Sequence, residues 1–138
     1  MLAENRNIHK EQSQPKEIGI LLIEGSGMLQ SVIEQSIQDN NPGIVSHFFE
    51  TKSYDSALEA IKNDAVDLIF LDWDLQDFEN MDFIKKTREI DENVPVIIFT
   101  SEIEEQILLD ACNAGVSAYI EKPIRGKQLW ESVKELLQ

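Results

Sequence analysis

The sequence predicts a doubly wound α/β domain built on a parallel sheet, and two features of its apolar pattern support this fold class. Segments of strand length, such as residues 18–23 and 66–71, are apolar at nearly every position, which indicates burial on both faces. Between these segments, apolar residues recur at helical spacing. Strands that alternate with helices form a parallel sheet with right-handed crossovers and helices on both faces.

Five strands and five helices follow from this pattern. The strands are predicted at residues 18–23, 44–49, 66–71, 94–99 and 117–120. The first two helices start near Ser26 and Ser53, the third covers about 81–90, and Gly115 stops the fourth. Apolar residues from Leu129 to Leu137 mark the fifth helix. Residues 1–16 are polar and are predicted to be a disordered tail, which leaves 17–138 as one folded domain.

Composition excludes several classes of function. The chain has 138 residues and a net charge of -14, and so acidic a surface repels nucleic acid, which argues against direct nucleic acid binding. No apolar run is long enough to span a membrane, and the start lacks the apolar stretch of a secretory signal, so we expect a cytoplasmic protein. The single cysteine, Cys112, cannot form an internal disulfide and is expected to be a small buried residue.

Chemically useful side chains follow directly after the predicted strands. Glu24 follows the first strand, Asp72 and Asp74 the third, Thr100 the fourth and Lys122 the fifth. In a doubly wound sheet the ligand crevice lies beyond the carboxyl ends of the strands, so these groups are expected at one edge. A carboxylate can attack phosphorus, while a lysine and a hydroxyl can hold phosphate oxygens. The set therefore indicates phosphoryl chemistry.

Three stretches give the chain a resemblance to a known family. They are Asp67-Leu68-Ile69-Phe70-Leu71-Asp72, Pro95-Val96-Ile97-Ile98-Phe99-Thr100, and the run from Ala114 to Pro123. With them the sequence resembles the receiver (CheY-like) domains of two-component response regulators over 18–138. The resemblance implies a flavodoxin-like sheet of order 2-1-3-4-5 and a signalling switch that is not an enzyme.

The resemblance assigns a role to each of the following residues. It implies that Asp72 is the phosphoacceptor, that Lys122 pairs with the phosphoryl group, and that Thr100 and Tyr119 are the switch residues. It also implies a cis bond between Lys122 and Pro123. The implied phosphodonor is a phosphohistidine on a sensor histidine kinase or a phosphotransfer protein. The implied output surface, for a partner or a homodimer, is the face from about residue 103 to 137.

The first strand departs from the family pattern. The family places two acidic residues there, but this chain has Glu24-Gly25, so glycine replaces a direct ligand of the implied Mg²⁺. Glu24 and Asp74 can compensate and hold the ion together with Asp72, because three carboxylates suit a divalent cation. Alternatively, Asp74 points to solvent and the site binds metal poorly.

Two other functions therefore stay open. The chain can be a degenerate receiver, a protein-binding module that works without phosphorylation, and Gly25 favours this reading. It can also be an enzyme, because Asp72-Trp73-Asp74 resembles the nucleophile motif of haloacid-dehalogenase-type phosphatases, in which the second aspartate is the general acid. The absence of a further acidic motif after Lys122, apart from two helical glutamates, argues against the enzyme.

Overall fold

A computed structural model describes residues 15–137 of the chain. Its centre is a five-stranded, all-parallel sheet in the order β2-β1-β3-β4-β5, which confirms the predicted fold class and strand order. The strands are β1 (Lys16–Ile23), β2 (Ile44–Thr51), β3 (Leu68–Asp72), β4 (Val96–Thr100) and β5 (Ala118–Glu121). Residues 1–14 of the predicted tail lie outside the described residues, and Lys16 already belongs to β1.

Five helices connect the strands. They are α1 (Leu29–Asn40), α2 (Tyr54–Asn63), α3 (Asn80–Ile90), α4 (Glu105–Ala114) and α5 (Gly126–Val133). Ser53 caps α2 by accepting a hydrogen bond from the Ser56 backbone N–H, as its position in the sequence predicts. Gly115 ends α4 with a φ of 125°, a conformation that glycine adopts without strain. Among residues 15–137, none of the helices has the length and apolar character that a membrane-spanning helix requires.

The two faces of the sheet carry separate apolar clusters. Leu21 and Ile23 of β1 point into the cluster with α2, α3 and α4, whereas Ile20 and Leu22 point into the cluster with α1 and α5. All four side chains are fully buried. Successive residues of a strand face opposite sides, so a strand covered by helices on both sides must be apolar at every position. This is why β1 and β3 have continuous apolar sequences.

The register of the sheet brings four strand ends to one edge. Ile23 pairs with Leu71, Asp72 with Phe99, and Thr100 with Glu121. The residues that follow β1, β3, β4 and β5 therefore emerge close together, as predicted. Further back along β1, Gly19 is tied to Asp67: its backbone N–H donates to Asp67 Oδ2 at 2.8 Å, and its carbonyl oxygen accepts from the Asp67 N–H at 2.7 Å.

Three local expectations were wrong. The fourth strand begins at Val96 rather than at residue 94, because Pro95 has no N–H to donate to a neighbouring strand. The third strand begins at Leu68 rather than at residue 66, because Asp67 turns its side chain to Gly19 instead of extending the strand. Cys112 is exposed, because α4 buries Ala111 against the sheet and turns the next residue towards solvent.

Candidate functional site

Four of the predicted side chains meet at the carboxyl edge of the sheet. Asp72 is the last residue of β3 and Thr100 the last of β4, while Asp74 and Lys122 lie in the loops that follow β3 and β5. Thr100 is fully buried, whereas the side chains of Asp72, Asp74 and Lys122 are partly exposed. A hydroxyl, two carboxylates and an ammonium group thus share one crevice that is open to solvent.

One oxygen of Asp72 is held by two donors. Its Oδ1 accepts a hydrogen bond from Lys122 Nζ at 2.9 Å and another from the backbone N–H of Asp74 at 2.9 Å. Among residues 15–137, its second oxygen, Oδ2, accepts no hydrogen bond. The Asp72 side chain is 14% exposed, so this second oxygen belongs to a mostly buried group that solvent still reaches.

Asp74 contacts more groups than Asp72 does. Its Oδ1 accepts from Thr100 Oγ1 at 2.9 Å, and its Oδ2 accepts from the Ser101 backbone N–H at 2.8 Å. Lys122 Nζ lies 3.1 Å from Oδ2. Burial raises the pKa of Asp74, but these donors outweigh it and lower the pKa to about 2. Asp74 is therefore ionised at neutral pH.

Lys122 joins the two aspartates. Burial lowers its pKa, but the hydrogen bonds and charges of Asp72 and Asp74 outweigh that effect, so the pKa lies above the ordinary lysine value. Nζ also lies 5.4 Å from the centre of the Phe99 ring, within range of a cation–π contact. The Lys122–Pro123 peptide is cis, as the resemblance implies.

Glu24 does not join this group. Its side chain is buried, only 4% exposed, and turns back on its own loop. Oε1 accepts from the Ser26 backbone N–H at 3.1 Å and from Ser26 Oγ at 2.6 Å, and Oε2 accepts from the Gly27 N–H at 2.6 Å. Burial raises the pKa of Glu24, but hydrogen bonds from Ser26, Glu50 and Gly27 outweigh it and lower the pKa. The hydrogen bond to Glu24, with burial and charge repulsion, raises the pKa of Glu50.

The expected Mg²⁺ ligands are therefore not gathered in this arrangement. In the part of the chain that the structure describes, no three carboxylate, imidazole or thiolate side chains lie close enough to hold a metal ion. Two of the three ligands proposed from the sequence, Glu24 and Asp74, are occupied by hydrogen-bond donors of the protein. In this arrangement the three carboxylates do not converge on one point, and the assignment of Glu24, Asp72 and Asp74 as Mg²⁺ ligands stays a prediction.

The glycine at the expected ligand position has room for a side chain. A Cβ at Gly25 would have Leu75 Cδ1 as its nearest neighbour, at 3.6 Å, which is ordinary van der Waals contact. By contrast, a Cβ at Gly19 would lie 1.9 Å from the Ala65 carbonyl oxygen. The backbone thus requires glycine at position 19 but not at position 25.

Tyr119, the predicted second switch residue, is turned outward. It lies in β5 and is 43% exposed. It borders a cavity of about 310 Å³ between the β4–α4 loop, α4 and β5, which Ile103 and Leu108 also line. Thr100 is buried on β4, whereas Tyr119 is exposed on the neighbouring strand β5. The cavity next to Tyr119 has room for a side chain.

Two partners of the predicted site residues were not predicted from the sequence. The Ser101 backbone N–H binds Asp74, and Glu50 lies against Glu24. A backbone N–H donor cannot be recognised in the sequence, because it does not depend on the type of side chain. Glu50 lies on β2, and only the pairing of β2 with β1 brings it beside the loop that follows β1.

Comparisons with known proteins agree with this geometry. The family model for the response regulator receiver domain matches residues 20–134. The chemotaxis protein CheY-3 of Vibrio cholerae is 24% identical over 128 residues, covering 89% of this chain and 94% of that protein. The phosphate regulon transcriptional regulatory protein PhoB of Escherichia coli is 28% identical over 121 residues, covering 86% of this chain and 51% of that protein.

Solved structures give the same result. A two-component response regulator from Clostridium difficile superposes with a TM-score of 0.72 at 28% identity, covering 87% of this chain and 95% of that chain. The receiver domain of a putative Luxo repressor protein from Vibrio parahaemolyticus superposes with a TM-score of 0.74 at 26% identity, covering 88% of this chain and 90% of that chain. The family match, the parallel sheet and the cluster at its carboxyl edge lead to one conclusion: this chain belongs to the receiver domain family of two-component response regulators.

Proposed function

We propose that this receiver domain is a phosphoacceptor switch of a two-component phosphorelay and that Asp72 accepts the phosphoryl group. The observation that carries the proposal is the Asp72–Lys122 pair, with Nζ and Oδ1 2.9 Å apart at the carboxyl end of β3. An oxygen of Asp72 would attack the phosphorus of a phosphohistidine, forming an O–P bond as the P–N bond breaks. The imidazole leaves and takes up a proton from solvent. Because Oδ1 is held by two donors, Oδ2 is the attacking atom.

The other site residues supply charge and hydrogen bonds and form no covalent bond to the phosphoryl group. Lys122 supplies a fixed positive charge next to the acceptor, and Thr100 supplies a hydroxyl that can donate to a phosphoryl oxygen. Tyr119 is proposed to follow Thr100 by turning towards the neighbouring cavity. Receiver domains generally bind Mg²⁺ at the phosphorylation site. In this chain, Gly25 and the hydrogen-bonded Glu24 predict weak metal binding.

The family also indicates the partners. Receiver domains work with histidine kinases, phosphotransfer proteins and output domains. We propose that output, to a partner or a second copy, uses the α4–β5–α5 face. Ile107, Leu109 and Tyr119 expose apolar surface on α4 and β5, which supports that choice. The proposed setting is the cytoplasm, and the charge of -14 argues against direct nucleic acid binding.

A phosphorylation-independent binding module is the second candidate, because the predicted metal ligands do not converge. A phosphatase of the haloacid dehalogenase type fits less well. That mechanism needs the second aspartate as a proton donor, and a carboxyl group with a pKa of about 2 carries no proton at neutral pH.

Acetyl phosphate and intact-mass measurement separate the first two candidates. The purified full chain is incubated with acetyl phosphate at increasing Mg²⁺, next to the Asp72→Asn variant. The switch predicts a gain of one phosphoryl group that is slow, depends on Mg²⁺ and is absent from Asp72→Asn. No adduct at saturating Mg²⁺, or an adduct that survives in Asp72→Asn, would leave the binding module as the function.

A further inference from the structure

The strongest unexplained feature of the site is the set of donors around Asp74. A hydroxyl from β4, the next backbone N–H and the ammonium group of Lys122 all point to this one carboxylate, at 2.9, 2.8 and 3.1 Å. The donors come from Thr100, Ser101 and Lys122, on two different strand ends. Asp74 itself sits in the loop after β3, only two residues beyond the acceptor.

This donor set has the composition of an oxyanion subsite. A cation, a hydroxyl and a backbone amide directed at one point are what stabilises the oxygens of a phosphate ester. The same lysine also binds Asp72 Oδ1, so a phosphoryl group on Asp72 would have its oxygens within reach of this lysine. Two carboxylates therefore share one ammonium group, and the one that is not the acceptor holds all three donors.

We propose that the Asp74 carboxylate is an internal occupant of the phosphoryl-oxygen subsite formed by Thr100, Ser101 and Lys122, and that an incoming phosphate group must displace it. The inference rests on the proposed function, because it takes Asp72 as the acceptor. It makes Asp74 the residue that sets how readily this site accepts an anion, rather than a metal ligand or a side chain without protein partners.

The proposal has a direct consequence for the switch. Thr100 already donates a hydrogen bond to the Asp74 carboxylate before any phosphoryl group arrives. In the same structure Tyr119, the other proposed switch residue, is exposed. A second acceptor competes for the same proton, since Thr100 Oγ1 also lies 3.0 Å from the carbonyl oxygen of Glu102. Once Asp74 is displaced, the Thr100 hydroxyl can donate either to the new anion or to the carbonyl oxygen of Glu102.

Inorganic phosphate is a suitable probe, because it needs neither a kinase nor a transfer reaction. The backbone N–H of Ser101 reports the subsite directly in a two-dimensional NMR titration. In the wild type, the Ser101 amide proton is expected to resonate downfield and to respond weakly to phosphate. In Asp74→Ala it should move upfield, and the affinity for phosphate should rise about tenfold, because donors that a charged acceptor had occupied become free.

Two further variants control for charge and for folding. Asp77→Asn removes one negative charge from an exposed position in the same loop, where φ is 59° and asparagine is tolerated. It should bind phosphate as the wild type does, apart from a small general electrostatic gain. Asp74→Asn keeps the shape and removes the charge, so it should fall between the wild type and Asp74→Ala, and it serves if Asp74→Ala is not folded.

The position of the Ser101 amide resonance and the phosphate affinity together support or overturn the proposal. An upfield Ser101 amide with tighter phosphate binding in the Asp74 variants, but not in Asp77→Asn, supports the proposal. A Ser101 amide that stays in place, or a phosphate affinity equal in the wild type and the Asp74 variants, overturns it. Failure of phosphoryl transfer to Asp72 is a separate result, because the phosphate titration involves no transfer and can succeed in a chain that is never phosphorylated.

Discussion

The loops that follow β1 and β3 carry the same kind of side chain and use it in opposite ways. After β3, the carboxylates of Asp72 and Asp74 reach across the sheet edge to Lys122, with Nζ 2.9 and 3.1 Å from their oxygens. After β1, the Glu24 carboxylate turns back to Ser26 and Gly27, which are two and three residues away. The β3 loop forms long-range contacts at the site, whereas the β1 loop stabilises itself.

The difference shows what decides whether a carboxylate is available for chemistry. Both loops start at the end of a buried strand, so position in the sheet is not the cause. Asp72 and Asp74 face a lysine on a neighbouring strand end, while Glu24 has backbone N–H groups nearby and Glu50 instead of a cation. A buried carboxylate takes the donors within reach, because an unpaired charge in the interior is costly.

The largest expected effect comes from restoring a carboxylate after β1. Gly25→Asp should raise Mg²⁺ affinity and the rate of phosphorylation by acetyl phosphate by about tenfold to a hundredfold, because a third carboxylate then enters the crevice. The space around Gly25 admits a Cβ, with Leu75 Cδ1 at 3.6 Å. Mg²⁺ titration by NMR and intact-mass kinetics measure the two effects. Gly25→Asn is the matched control, and an equal gain in both variants would contradict the prediction.

Removing Glu24 tests whether its role is structural. Glu24→Ala should lower the free energy of unfolding by about 1–2 kcal/mol, because the loop loses an acceptor that holds Ser26 and Gly27. Urea denaturation measures this loss, and Glu24→Gln should lose less because it keeps one oxygen. The affinity for Mg²⁺ should not change. A tenfold drop in that affinity would instead make Glu24 the metal ligand that the sequence suggested.

Lys122 is one of the donors that lower the pKa of Asp74. Lys122→Met should raise the pKa of Asp74 above about 2, part of the way to its ordinary value, because the Ser101 and Thr100 donors remain. A lowered pKa in the folded state contributes stability that is present above the ordinary value of 3.8 and is lost as the pH falls towards 2. As the pH is lowered, the free energy of unfolding of Lys122→Met should therefore fall less than that of the wild type.

Carboxyl ¹³C titration of Asp74 and urea denaturation between neutral and acidic pH measure these two changes. Lys127→Met removes an exposed lysine of α5 and is the control for net charge. An Asp74 pKa that is the same in the wild type and in Lys122→Met would show that Lys122 does not interact with this carboxylate in solution.

The smallest expected effect is at Ser26. Its hydroxyl donates to Glu24 Oε1 at 2.6 Å, so Ser26→Ala should cost about 0.5–1.5 kcal/mol of stability. It should leave the Ser101 amide resonance of the β3 site unchanged, because the two loops are held independently. Ser101→Ala is a useful comparison, since it keeps the backbone N–H that binds Asp74. A shift at Ser101 caused by Ser26→Ala would mean that the loops are coupled.

The amino-acid pattern alone predicts the fold and half of the candidate site. Continuous apolar strands such as β1 and β3 require cover on both faces, and the residue pattern alone therefore places Asp72, Thr100 and Lys122 at one edge. Strand boundaries followed the apolar pattern less closely, as Asp67 shows, because its side-chain hydrogen bond to Gly19 makes β3 begin later than that pattern suggests. The sequence also predicts the wrong side of α4 for Cys112, which is exposed rather than buried.

What each carboxylate binds depends on which strands the fold places side by side. Glu24 and Asp74 are equally suitable metal ligands in the sequence, since both follow buried strands and both are acidic. The fold brings Thr100, Ser101 and Lys122 to Asp74, and leaves Glu24 with Ser26 and Gly27. The physical reason is that hydrogen bonds act over about 3 Å, so the partner of a charged group depends on which strands are neighbours and on backbone N–H groups that no residue type reveals.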